Sequence, residues 1–87
     1  MSKIKLVMQD RNLYAVAKAL YAYLDSFSGL GDSCSIARKK ICFDLCISND
    51  TFSKYLKQLV DSGYIIVEQI KENGRFSHNV YTICEKN

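Results

Sequence analysis

Four cysteines, Cys34, Cys42, Cys46 and Cys84, and one histidine, His78, are the side chains of this 87-residue sequence whose types could hold a transition metal or run acid–base chemistry. Cys42 and Cys46 stand four apart, a spacing that puts two residues on one face of a helix, and with His78 and Cys84 they make a nominal zinc set. Structural zinc usually asks for two tight, separated ligand pairs, and this chain lacks them. The cysteines are also too few and too irregularly spaced for the disulfide framework of a secreted domain. They are therefore expected as reduced thiols in or near the core, with no metal and no cofactor. His78 has no second histidine, no convergent nucleophile and no glycine-rich phosphate loop to work with, so the chain is expected not to be an enzyme.

Cationic side chains offer a second kind of chemistry, the attraction of phosphate and other anions. The chain carries a formal charge of +3. Between residues 38 and 57 five cations (Arg38, Lys39, Lys40, Lys54, Lys57) stand against two carboxylates (Asp44, Asp50), a local balance of +3 that equals the excess of the whole chain. Lys71, Asn73, Gly74 and Arg75 form a second group, with Ser77, His78 and Asn79 beside it, and Lys3 and Lys5 a third. Composition sets the frame for these groups: 48% hydrophobic and 24% charged residues describe an ordinary globular chain, long enough for one domain over residues 1–87. Lys18 interrupts the best apolar run, so no membrane span is expected, and the first residues lack the layout of a signal peptide. The expected location is intracellular, in the cytoplasm.

The elements that must position these groups follow from periodicity and punctuation. Residues 3–8, KIKLVM, alternate and predict a short strand with Ile4, Leu6 and Met8 on one side. Asp10 or Asn12 is placed to cap a helix running to about Phe27, in which Leu13, Ala17, Leu20, Leu24 and Phe27 make one stripe and Val16, Ala19 and Tyr23 a second. A helix apolar on nearly all sides is buried on more than one side, and so short a chain has little to cover it, so self-association through Tyr14, Val16 and Tyr23 is expected. After the Gly29-Leu30-Gly31-Asp32 punctuation, residues 36–45 predict a second helix with Ala37, Ile41 and Leu45 inward. Ser48 is an N-cap, Ile47 a staple onto Phe52, and Phe52, Tyr55, Leu56, Leu59 and Val60 are the buried stripe of a third helix that ends at Gly63. Residues 64–70 and 78–83 predict two strands of a hairpin with a polar tip at 71–77, signalled by Asn73-Gly74. Two short helices joined by a brief turn and followed by a hairpin is the order of a winged helix-turn-helix.

The runs LYAVAKALYAYL (13–24), SCSIARKKICFDLCIS (33–48), NDTFSKYLKQLVDSGYIIVEQ (49–69) and GRFSHNVYTI (74–83) carry a resemblance over nearly the whole chain. In their order and spacing they resemble the winged helix-turn-helix domain at the N-terminus of phage and plasmid replication initiators and replisome organisers, which also occurs in other small DNA-processing proteins of plasmids. Where that family usually has a Pro-Ser-like start to the second helix this chain has Ile36-Ala37, and where the turn usually carries Gly it has Cys46. The resemblance implies an α+β winged helix-turn-helix that binds double-stranded DNA sequence-selectively. It further implies a part in conjugative transfer, as a relaxosome accessory, or in replication initiation, with relaxase or replication proteins as further partners. Initiators continue well past the hairpin and this sequence ends at Asn87, so an excised domain or a stand-alone accessory binder is expected. A transcriptional regulator, or a winged-helix module that docks proteins and not DNA, is the alternative.

With its apolar stripe inward, the third helix would turn Asn49, Asp50, Ser53, Lys54, Lys57 and Asp61 outward. In a helix-turn-helix the N-terminal half of this helix enters the major groove, which brings Asn49 and Ser53 to base edges and Lys54 and Lys57 to guanine or phosphate. Asp50 suits the positive end of the helix dipole but occupies the place where a phosphate would gain most, which moves part of the expected contact to the hairpin. There Arg75, beside Gly74, suits a narrow minor groove, with Lys71, Asn73 and His78 around it. Arg38, Lys39 and Lys40 are expected on the DNA backbone, joined by Lys3 and Lys5 from the first strand.

Overall fold

The computed structural model describes residues 3–28 and 33–84, and the expected 29–32 loop lies outside them. The architecture is mixed α+β: α1 (Lys3–Gln9), α2 (Ala15–Phe27), β1 (Ser33–Cys34), α3 (Arg38–Leu45), α4 (Asn49–Asp61), β2 (Ile65–Glu72) and β3 (Arg75–Ile83). The strands form one antiparallel sheet in the order β1-β3-β2. No helix among the described residues is long and apolar enough to cross a membrane.

α2 is the centre of the packing, because α1, α3, α4, β1 and β3 all lie against it. Leu13, Ala17, Leu20 and Leu24 are buried as the first stripe predicts, whereas Phe27 is 48% exposed. Neither predicted stripe contains Tyr21, which is fully buried with its ring edge-on to Tyr64 at 6.0 Å. Asp10 and Asn12 do not cap this helix. Asp10 closes the α1–α2 turn, its Oδ1 accepting from the Asn12 backbone N–H at 2.9 Å and its Oδ2 from the Tyr64 hydroxyl at 2.7 Å. The N-cap position falls to Tyr14, whose side chain makes no capping bond, and its backbone N–H donates instead to Gln58 Oε1 of α4 at 3.0 Å.

The segment predicted as a strand over residues 3–8 is the helix α1. Its sequence carries both periods, and docking on α2 selects the helical one: Ile4 and Val7, three apart, face the core, with Val7 fully buried. A strand would have buried Met8, which is 38% exposed. Lys18 explains its own place in an apolar helix: its Nζ donates at 2.8 Å to the carbonyl of Met8, near the C-terminal end of α1, where a cation is favoured. α1 also supplies cover for α2 that the sequence expectation of a strand did not count.

The hairpin is longer and its turn tighter than expected. β2 runs on to Glu72 and β3 starts at Arg75, leaving Asn73-Gly74 as a two-residue turn with φ of 54° and 78°, the left-handed pair a type I′ hairpin needs. The register slips by one residue between Ile70↔His78 and Lys71↔Phe76, so position 77 is a bulge. Ile65, Val67, Tyr81 and Ile83 form the inner row of the sheet, and β1 adds Cys34, buried opposite Tyr81. Both α3 and α4 lie between β1 and β2 in the chain.

Candidate nucleic-acid interface

The link between α3 and α4 is three residues long, Cys46 to Ser48, and each is fixed by a backbone requirement. Ala37 and not residue 36 precedes the helix, because Ala37 is extended (φ −61°, ψ 136°) and Ile36 packs half-buried on the core. α3 ends with Cys46 in the left-handed conformation (φ 57°, ψ 44°): its N–H donates to Phe43 O, and the N–H of Ile47 reaches Cys42 O at 3.0 Å. That pair of bonds is a Schellman motif, which usually has Gly where this chain has Cys46. Ser48 then caps α4, its Oγ accepting from the Thr51 N–H at 3.1 Å, as the sequence predicts. α4 closes with a second Schellman pair around Gly63 (φ 84°), Gly63 N–H to Val60 O and Tyr64 N–H to Leu59 O.

This framing turns α4 as expected in all but one position. Phe52, Leu56 and Leu59 are buried and Tyr55 half-buried, while Val60, expected in the core, lies at the edge of the stripe and is 39% exposed. Asn49, Asp50, Ser53, Lys54 and Lys57 are all exposed. Asn49 is not wholly free to reach outward, since the Cys42 thiol lies 3.7 Å from its Oδ1.

Side-chain pairing divides the expected cations in two. Lys40 Nζ sits 3.1 Å from Asp44 and Lys57 Nζ 2.8 Å from Asp61, both one helical turn apart. Asp44 also accepts the Tyr23 hydroxyl at 2.6 Å, and this bond, more than Lys40, holds its carboxyl below the usual range. Tyr23 responds in kind: burial first, then Asp44, pushes its phenol up to about 12. The Asp61 partner likewise holds the Lys57 ammonium above its ordinary value. Arg38, Lys39 and Lys54 are exposed and have no carboxylate partner among the described residues. Arg38 lies 4.9 Å over the Phe52 ring and Lys54 5.4 Å over Tyr55, contacts that hold a cation without neutralising it.

At the hairpin tip Lys71, Asn73, Gly74 and Arg75 are exposed, and the register puts Glu72 directly opposite Arg75, not merely beside Lys71. Lys5 is exposed on a helix, not on the expected strand, and α1 packs on α2. The Lys3 side chain lies outside the described ones. Of the three residues expected at a dimer surface, Tyr14 is 61% exposed, Val16 half-buried, and Tyr23 tied to Asp44 and packed 4.8 Å from the Phe27 ring.

Arg38 and His78, expected as separate contacts, border one cleft between the start of α3 and the middle of the hairpin. Gln69 and Tyr81 line it as well, and neither figures among the expected site residues. The signal for them was present: Gln69 and Asn79 are cross-strand partners in the row that contains Val67 and Tyr81, two amides continuing an otherwise apolar inner face. Phe43, 82% exposed on α3, is a further surface feature that helical periodicity leaves outward.

The cysteines do not share one fate. Cys34 is buried, and burial pushes its thiol up from the ordinary range; Cys42 and Cys84 are half-buried; Cys46, against expectation, is exposed, in the turn between α3 and α4. No three His, Cys, Asp or Glu residues gather as metal ligands among the described residues. No family model, curated protein or solved structure matches the chain.

Proposed function

We propose that the chain is a winged helix-turn-helix that binds double-stranded DNA and performs no catalysis. The observation that carries this reading is the topology: a tightly linked helix pair, α3 and α4, set between strands that pair in the order β1-β3-β2, followed by a hairpin whose two-residue Asn73-Gly74 turn lies between Lys71 and Arg75. Exposed cations on α3 and α4 without carboxylate partners among the described residues (Arg38, Lys39, Lys54), with Lys71 and Arg75 at the tip, supply the phosphate attraction. Lys40 and Lys57 must first exchange Asp44 and Asp61 for phosphate, so they contribute less. Arg75 and the N-terminal half of α4, with Asn49 and Ser53, are the proposed determinants of site choice. A role in plasmid transfer or replication rests on the resemblance alone, as does a relaxase or replication partner.

Fluorescence anisotropy on duplex DNA tests this. Arg75→Ala is expected to weaken binding to a cognate site by about 1–3 kcal/mol, and wild-type affinity in the Arg75→Ala/Lys54→Ala protein would show that the surface is misassigned. A second reading, a module that docks proteins, is favoured by Phe43 at 82% and Ile66 at 53% exposure. Absence of any DNA affinity at about 50 mM salt would select it, because even non-specific binding is strong there. Self-association, if it uses α2, falls to Tyr14, the exposed one among Tyr14, Val16 and Tyr23; light scattering at high protein concentration is expected to give a dimer, and a strict monomer removes the idea.

A further inference from the structure

β2 closes one end of the sheet, and among the described residues no strand pairs with its far side. The direction of its backbone groups follows from its two ends. Cys84 N–H donates to Tyr64 O at 2.7 Å at one end, and the two-residue turn makes Glu72 and Arg75 a bonded pair at the other. Bonded pairs recur every second residue, so Ile66, Glu68, Ile70 and Glu72 spend their N–H and C=O on β3. Val67, Gln69 and Lys71 turn theirs to the open side. Edge strands are usually blunted by proline, by a bulge or by brevity. β2 is eight residues long, has no proline, and leaves the extra residue of the bulge to β3.

Side chains on the outer face of this edge alternate in character. Ile66, 53% exposed, and the half-buried Ile70 alternate with exposed carboxylates, in the order Ile66, Glu68, Ile70, Glu72. Across on β3 the register sets Val80 opposite Glu68 and Arg75 opposite Glu72, so Glu68 has no cation opposite it. Two carboxylates four residues apart make this row acidic in a chain whose net charge is +3. Phosphate is repelled by such a row, and a strand that carries cations is attracted.

We propose that the open edge of β2 binds an extended segment of a partner protein that has basic side chains four residues apart and an apolar one midway between them. The segment adds a fourth strand to the sheet. Its main chain bonds to Val67, Gln69 and Lys71, its cations lie beside Glu68 and Glu72, and its apolar side chain lies beside Ile70. Main-chain bonds supply the affinity, and the alternating row supplies the selectivity. This docking edge is independent of the DNA-binding reading, whose cations lie on α3, on α4 and at the hairpin tip.

The test titrates the labelled full chain with the peptide acetyl-TKTVTKTV-amide, while following amide NMR signals and hydrogen exchange. Saturable shifts along β2, with slowed exchange at Val67, Gln69 and Lys71, are expected. Replacing both lysines by glutamate, or moving them to adjacent positions, is expected to weaken binding by about tenfold. Gln69→Pro removes an outward donor but no bond to β3, and is expected to abolish binding. Glu68→Lys/Glu72→Lys is expected to reverse the preference, so that the glutamate peptide binds more tightly than the lysine one. Unchanged amide spectra away from β2 show that these variants fold. No shifts with the lysine peptide, or equal binding of all three peptides, overturns the proposal. So does slowed exchange at the same three amides that grows with the concentration of the free chain, because a second copy would then hold the edge. Shifts of these amides by duplex DNA alone overturn it as well. Duplex affinity that persists when the peptide fails leaves the DNA-binding reading standing, and peptide binding without duplex affinity does the reverse.

Discussion

Two tyrosine hydroxyls, of Tyr23 and Tyr64, each donate to a carboxylate and so add a directional link to elements that the apolar core packs together. Tyr23 ties α2 to Asp44 of α3, and Tyr64 ties the start of β2 to Asp10 in the α1–α2 turn. The Tyr64 phenol is pushed up to about 12 from an ordinary 10.0, by burial first and then by Asp10. The sign of the consequence follows directly: the folded phenol holds its proton more tightly than the unfolded one. Its contribution is complete below pH 10 and is lost as pH rises from there through about 12. Chemical denaturation across that window is expected to show stability falling in the wild type, and falling less in Tyr64→Phe, which has no proton to lose. At neutral pH the same variant is expected to be less stable by about 1 kcal/mol, the hydrogen bond to Asp10 having gone. Equal alkaline slopes for the two proteins would mean that Tyr64 does not hold its proton in this way.

Among the elements, the short α3–α4 link shows most plainly what local sequence can and cannot specify. Ser48, Gly63 and Asn73-Gly74 were legible because each residue type meets a particular backbone demand, a cap acceptor or a positive φ. α4 was legible because its apolar positions repeat at the helical period over 13 residues. α1 was not, because seven residues carry too few repeats to separate period 2 from period 3.6, and packing on α2 decides between them. β1 escaped for a similar reason: two residues acquire strand character only from their partners on β3. The cleft was illegible for a different cause, since Arg38 and Asn79 meet only through the tertiary fold. Cys46 offers the test at this scale. A non-glycine residue in the left-handed region costs about 1–2 kcal/mol, so Cys46→Gly is expected to raise stability by up to about 1 kcal/mol once the entropy of the unfolded glycine is counted. Thermal unfolding measures it, and a lower midpoint would mean that the thiol makes a contact worth more than the strain.

The whole molecule is organised so that one helix, α2, carries the core and leaves α3, α4 and the hairpin free to present their outer faces. The net charge of +3 is small, and what distinguishes the proposed interface is placement: among the described residues, exposed cations without carboxylate partners stand on α3 and α4, Lys71 and Arg75 are exposed at the hairpin tip, and two other cations are spent on intrahelical pairs. A protein that binds phosphates in this way releases counterions, and the number released is read from the salt dependence of its affinity. The direct test is therefore the slope of log affinity against log salt concentration for duplex DNA, in the wild type and in Arg38→Ala, Lys54→Ala and Arg75→Ala. A steep negative slope in the wild type is predicted, made shallower by roughly one unit by each substitution that removes a phosphate contact. No binding at about 50 mM salt, or a slope that none of the three substitutions changes, would contradict it.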